Sequence, residues 1–147
     1  MENRLTEIFE VDSVIKTLVL CILTIGSYLL YKLYQYSKQI NKHTELKISN
    51  IFILITISLF TISLASLIHL LANWQDPVIL KISIGIHAIS TIFDITWIIM
   101  VRNRINLISG SNKDHRLWLN PFITSIFHVI YMQYKINQGF EKITANK

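Results

Sequence analysis

The sequence predicts an all-α integral membrane bundle of four transmembrane helices, and three observations lead there. Hydrophobic residues make up 52% of the 147 and charged residues only 16%, against about 25% charged in ordinary soluble domains. Ile and Leu dominate while Gly and Pro number four and two, so the apolar content is helical. The apolar residues also gather into four runs of helix length, divided by polar segments. The length sets one domain at most. The formal net charge of +5 comes from Lys and Arg beside the apolar runs, with no basic arm. That is a membrane-flank pattern and argues against nucleic acid. The single cysteine, Cys21, excludes an intramolecular disulfide and a Cys-based metal site, and reads as an apolar filler.

Residues 1–12 place Leu5, Ile8, Phe9 and Val11 among acids, a leader that is either a short interfacial helix or a frayed terminus. An acidic leader and the lack of a small-residue cleavage site argue against a cleaved signal peptide. The first span is expected over 13–36. Tyr28, Tyr31 and Tyr34 near its end read as interfacial anchors, with Lys32 and Lys38 snorkelling. A polar, basic loop follows over 37–47. The second span, 48–71, carries Ser58, Thr61 and Ala65, small residues expected to form a helix-packing face. His69 falls at its exit end. The turn 72–77 sets Trp74 at the interface and Pro77 at the start of the next helix.

The third span, 78–101, contains His87 and Asp94, seven residues and so about two turns apart on one side, with Ser83, Ser90 and Thr91 on or beside that line. Ionisable residues inside a membrane helix are costly, so each is a functional-site hypothesis needing a partner. Arg102 and Arg104 close the span, and the loop to residue 116 contains the turn Ser109-Gly110-Ser111-Asn112. The fourth span, 117–136, is the least apolar. Asn120, Thr124, His128, Tyr131 and Lys135 fall on one face of a continuous helix, with Pro121 tolerated in the first turn. A polar tail, 139–147, completes the chain.

Lysines and arginines concentrate in loops 37–47 and 102–116 and are missing from the turn 72–77, which makes both basic loops cytoplasmic. With four crossings the N-terminus, the middle turn and the C-terminus lie outside, at odds with Lys142 and Lys147 in the tail. A re-entrant or interfacial fourth segment would instead bring the tail inside. The halves also resemble one another. Ile40-Asn41 and Ile105-Asn106 each precede a polar loop and then Asn-x-Phe-Ile, at 50–53 and 120–123. This is either a parallel two-helix repeat or a coincidence of composition.

The stretch Gly26-Ser27-Tyr28-Leu29-Leu30-Tyr31-Lys32-Leu33-Tyr34 and the closing IYMQYKINQ (130–138) resemble a domain-of-unknown-function family of small bacterial polytopic inner-membrane proteins. That family opens with Gly-x-Tyr-x-x-Tyr-Trp-Leu-Tyr and closes with Tyr-x-Gln-x-x-(Ile/Leu)-Asn; here Lys32 stands where Trp is common. The resemblance implies a bacterial inner-membrane protein and brings no catalytic residues.

Chemically, the expected site is an intramembrane polar seam of His87, Asp94, His128, Thr124 and Asn120. Three uses compete for it: mutual hydrogen bonding that fixes helix register, a proton or ion path in an oligomer, or a b-type haem on His87 and His128 with His69 as alternate ligand. Zinc lacks enough ligands at one level, and the sequence contains no nucleophile elbow, zinc-protease His pair or phosphate-cradling Gly loop. The expectation is therefore a protein that is not an enzyme and holds no metal or cofactor. It would serve as an accessory or interaction subunit of a membrane assembly or as a homo-oligomer, with an oligomeric channel or transporter as the alternative.

Overall fold

The computed structural model describes residues 3–145. Six helices follow one another: α1 (Asn3–Ile8), α2 (Val14–Leu23), α3 (Ser27–His43), α4 (Asn50–Ala72), α5 (Pro77–Ser109) and α6 (Pro121–Ala145). The all-helical expectation holds. Two helices, α4 with 23 residues and α5 with 33, are long and apolar enough to cross a membrane, not four. The chain forms two units, Met1–Ile48 with Ile98–Lys147, and Ser49–Trp97, and α5 contributes to both.

The smaller unit, Ser49–Trp97, is a helical hairpin. Ser49 caps α4 by accepting the N–H of Phe52, and Asp76 accepts the N–H of Val78 at 2.8 Å at the start of α5. The hairpin inverts the usual distribution of polarity. Thr56, Ser63, Ser83 and Ser90 are buried, while Ile51, Leu54, Ile68, Ile84 and Ile92 are each more than half exposed. In water this arrangement would sacrifice most of the hydrophobic driving force.

The larger unit corrects the expected first span. Residues 13–36 are not one helix. α2 ends at Leu23, and Ile25 (φ 50°) and Gly26 (φ 83°) take left-handed conformations. The chain then doubles back: Asp12, just before α2, lies 2.6 Å from the Lys32 ammonium on α3, and Phe9 stands edge-on to Tyr36 at 5.7 Å. A straight helix would hold Asp12 and Lys32 about 30 Å apart. Gly26 meets the bend without steric cost, whereas β-branched Ile25 is strained there. The turn leaves no backbone donor idle. The N–H groups of Ile25, Gly26 and Ser27 reach the carbonyls of Ile22, Cys21 and Thr24 at 3.2, 2.9 and 3.0 Å, and that of Tyr28 reaches Thr24 Oγ1 at 2.9 Å.

The expected fourth span is corrected in the same way. Asn120 caps α6 through the N–H groups of Phe122 and Ile123 (2.9 and 3.3 Å), but His128 is non-helical at φ 43°, ψ −126°. The arm after it, 129–145, runs back beside the segment that precedes α6. Tyr131 donates to the Trp118 carbonyl at 3.4 Å, Lys135 donates to that of Arg116 at 2.6 Å, and a Cβ at Gly139 would stand 3.8 Å from Leu117. Asn120, Thr124, His128, Tyr131 and Lys135 therefore do not share one continuous helix face.

Packing in this unit follows helical periodicity. Val129, Met132, Gln133 and Ile136 on α6, Ile98, Val101, Ile105 and Ile108 on α5, and Leu33, Tyr36 and Ile40 on α3 are buried. The leader joins this core through Leu5, Ile8 and Phe9 and is not a free terminus. α6 continues to Ala145 through most of the expected polar tail, of which Asn146 and Lys147 lie outside the described residues.

The halves share a structural device. Asn41 donates to the Ile48 carbonyl (2.8 Å) and accepts its N–H (2.6 Å). Asn106 does the same with Leu119, at 3.3 and 2.8 Å. Ile48 and Leu119 each stand immediately before a helix N-cap, Ser49 and Asn120, and each is buried. The loops closed by the two Asn residues differ in length by six residues, so the shared element is a side-chain clamp that seats the next helix.

Candidate functional site

Polar side chains cluster in each unit. The first cluster is the seam of the hairpin. Ser83, His87, Ser90, Asp94 and Trp97 follow one another at spacings of four, three, four and three, the spacing of a helix-packing seam. Ser66 donates to Ser83 at 2.8 Å, the Ser63 hydroxyl meets His87 Nδ1, and Phe52 stacks on Phe93 with ring centroids 5.9 Å apart. Buried Thr56 donates to the Phe52 carbonyl at 2.9 Å one turn earlier on α4. Asp94 interacts with Ser90 one turn earlier on its own helix. Two atoms of the seam, His87 Nε2 and Asp94 Oδ1, are buried and make no hydrogen bond. Such an atom in a low-dielectric interior costs about 1–3 kcal/mol.

The packing face of α4 inside the hairpin is Ile53, Thr56, Ser63 and Ser66. Ser58, Thr61 and Ala65, expected as the packing face, are exposed. Polar residues occur on more than one side of α4, so composition leaves its inward face open; the partner helix chose the side bearing Ser63 and Ser66.

The expected seam is divided between the units. His87 and Asp94 belong to the hairpin, whereas Asn120, Thr124 and His128 belong to the larger unit. There Asn120 is the α6 cap, Thr124 is buried and donates to the Asn120 carbonyl at 2.6 Å, and His128 is the turn residue. Of the expected anchors, Tyr31, Tyr34 and Trp74 are exposed, and Tyr28 lies beside Tyr31 with ring centroids 5.6 Å apart.

The second cluster was not expected from the sequence. Lys32 is 4% exposed and donates to Asp12 at 2.6 Å and to Gln133 Oε1 at 3.4 Å. Gln133 is fully buried and uses every part of its amide. Oε1 also accepts from Tyr36 (2.7 Å), while Nε2 donates to the Glu10 carbonyl (3.1 Å) and to Asn137 Oδ1 (2.9 Å). Asn137 in turn donates to the Asp12 carbonyl at 2.8 Å. The Lys32 ammonium hydrogen bond holds the Asp12 carboxyl below its ordinary pKa, helped by Lys16 at 3.6 Å. A cavity of about 230 Å³ opens beside this cluster, lined by Lys16, Lys32, Gln35, Gln39 and Glu10 among others, and Gln39 Oε1 is buried without a partner. Gly26 among Thr and Ser, with charges spaced on both sides of it, was the available signal for the reversal that builds this cluster.

Among the described residues no three His, Cys, Asp or Glu side chains converge as a metal site would require. No family model, curated protein or solved structure matches the chain.

Proposed function

We propose that this chain is an integral membrane protein of the bacterial inner membrane. α4 and α5 cross the bilayer, while α2–α3 and α6 enter it as half-depth hairpins, so that two crossings replace the four first expected. The inside-out hairpin Ser49–Trp97 supports the crossing pair, because apolar side chains face outward and polar ones inward. α2, with ten residues, rises about 15 Å, half the hydrocarbon thickness. The satisfied backbone of its turn fits an environment without water. The bacterial assignment rests on the family resemblance of residues 26–34 and 130–138.

Two half-depth hairpins return the chain to the side it came from. In this reading both termini lie with the basic segments 37–47 and 102–116 on the cytoplasmic side, and the tail lysines no longer conflict with the positive-inside rule. Reporter fusions at each end and at Trp74 test this: both ends should report cytoplasm and Trp74 the outside. An external terminus refutes the half-depth hairpin next to it.

The function within that membrane is non-catalytic, a helical subunit that binds another membrane protein or a second copy of itself. One observation supports it above others: α4 uses one polar face inside the hairpin and leaves Ser58, Thr61 and Ala65 exposed for another helix. Purification in mild detergent with sizing and mass spectrometry of co-eluting protein tests this. A complex that Ala65→Leu dissolves supports it, and a monomer indifferent to that change overturns it. The unpaired Asp94 Oδ1 and His87 Nε2 favour a second reading, an oligomeric proton or ion path. A pH-dependent flux in proteoliposomes, abolished by Asp94→Asn, would establish it over the first.

A further inference from the structure

We infer that the cavity at the base of the α2–α3 hairpin holds a lipid headgroup bearing a phosphate and an N–H-donating ammonium, with an acyl chain lying along α2. The inference rests on the membrane reading above. The cavity, about 230 Å³, brings two lysines and two acids together, Lys16 and Lys32 with Glu10 and Asp12. A site of that composition suits a zwitterion better than a simple anion or cation.

Its hydrogen-bonding capacity is incomplete in a specific way. Lys32 has placed two of its three N–H groups, on Asp12 and Gln133, and exposed Lys16 has only the longer contact to Asp12 at 3.6 Å, so both can still meet a phosphate. Gln39 Oε1 is buried and accepts nothing. It calls for a donor, which an ammonium with N–H groups supplies.

The surroundings point to a lipid over a free solute. Val11 lines the cavity. Beyond it on α2, Ile15, Leu18 and Ile22, at spacings of three and four, form an exposed apolar stripe with exposures of 75, 42 and 68%. The stripe rises about 10 Å along α2 toward the Ile25–Gly26 turn, about a third of a 30 Å hydrocarbon core. Headgroup and chain thus meet adjoining surfaces of matching polarity.

The test uses the full-length, wild-type chain. It is reconstituted into phosphatidylglycerol vesicles containing equal amounts of phosphatidylethanolamine, its N-methyl and N,N-dimethyl forms, and phosphatidylcholine. Retained lipid is then counted by native mass spectrometry. The phosphate is constant across the series and only the N–H donors change. Retention should drop about tenfold between the dimethyl and trimethyl headgroups, where the last charged donor is lost. Gln39→Leu should remove that step. A flat series for the wild-type protein overturns the assignment and needs no variant. Displacement by glycerophosphoethanolamine at concentrations equal to the lipid also overturns it, in favour of a solute site. Failure of the protein to float with vesicles of any composition refutes the membrane reading itself, whereas flotation with a flat series refutes only the headgroup.

Discussion

Replacing Asp12 by Ala tests both the hairpin and the buried cluster in one measurement. The Lys32 ammonium is 4% exposed, and Asp12 at 2.6 Å is its only anionic hydrogen-bond partner among the described residues. Removing the carboxylate leaves a buried charge with Gln133 Oε1 at 3.4 Å as its remaining side-chain partner. Breaking one side of a buried pair costs about 3–5 kcal/mol. Asp12 is itself partly exposed, which moves the expectation to the lower end, about 3 kcal/mol. Lys32→Met alone should cost less, because Met fills the stem volume and the carboxylate left behind can reach water. The double substitution should cost much less than the sum, giving a coupling of about 2 kcal/mol. The assay is reversible SDS unfolding from bicelles, read by circular dichroism, on all four members of the cycle. A single helix over 13–36 separates these residues by about 30 Å and allows no coupling at all. Additive effects within about 0.5 kcal/mol, or a loss below 1 kcal/mol for Asp12→Ala as an exposed pair would give, would refute the hairpin and the buried site together.

Further expectations use the same unfolding assay. Ile25→Gly and His128→Gly should each stabilise by about 1 kcal/mol by relieving a left-handed backbone at a non-glycine residue; a loss of similar size, as in a helix interior, would contradict the two reversals. Asn41→Ala and Asn106→Ala should each cost about 2 kcal/mol, since each strips both backbone groups of a buried residue, and unequal losses would argue against a shared clamp. Asp12 has a depressed pKa in the folded chain, so the stability it contributes is complete above its unfolded pKa of about 4 and disappears as pH falls through the lower folded value. The gap between wild type and Asp12→Asn should therefore be constant from pH 7 to 5 and close below pH 4; a gap that closes near neutrality would point to another group.

Composition and periodicity alone determined the helical class, the α4–α5 pair, the concentration of positive charge in two loops and the line of Ser83, His87, Ser90 and Asp94. Each depends on residue type and local spacing, which a linear reading contains. The Ile-Asn repeat was legible as a pattern, and the tertiary structure supplied its meaning as a clamp. Tertiary structure alone decided where the chain reverses. Hydropathy sums over a window and gives the same value for 24 apolar residues that cross and for two arms that turn back. The reversals occur at Ile25–Gly26 and at His128; a lone Gly or His does not by itself turn a helix back, and contacts from Asp12 to Lys32 and from Lys135 to the Arg116 carbonyl hold the arms together. The inward face of α4 was decided the same way, because a helix with small polar residues on more than one side has no intrinsic inside until Ser63 meets His87 and Ser66 meets Ser83. The Lys32 cluster followed from the first reversal: residues twenty apart become a buried ion pair only once the intervening segment folds in half.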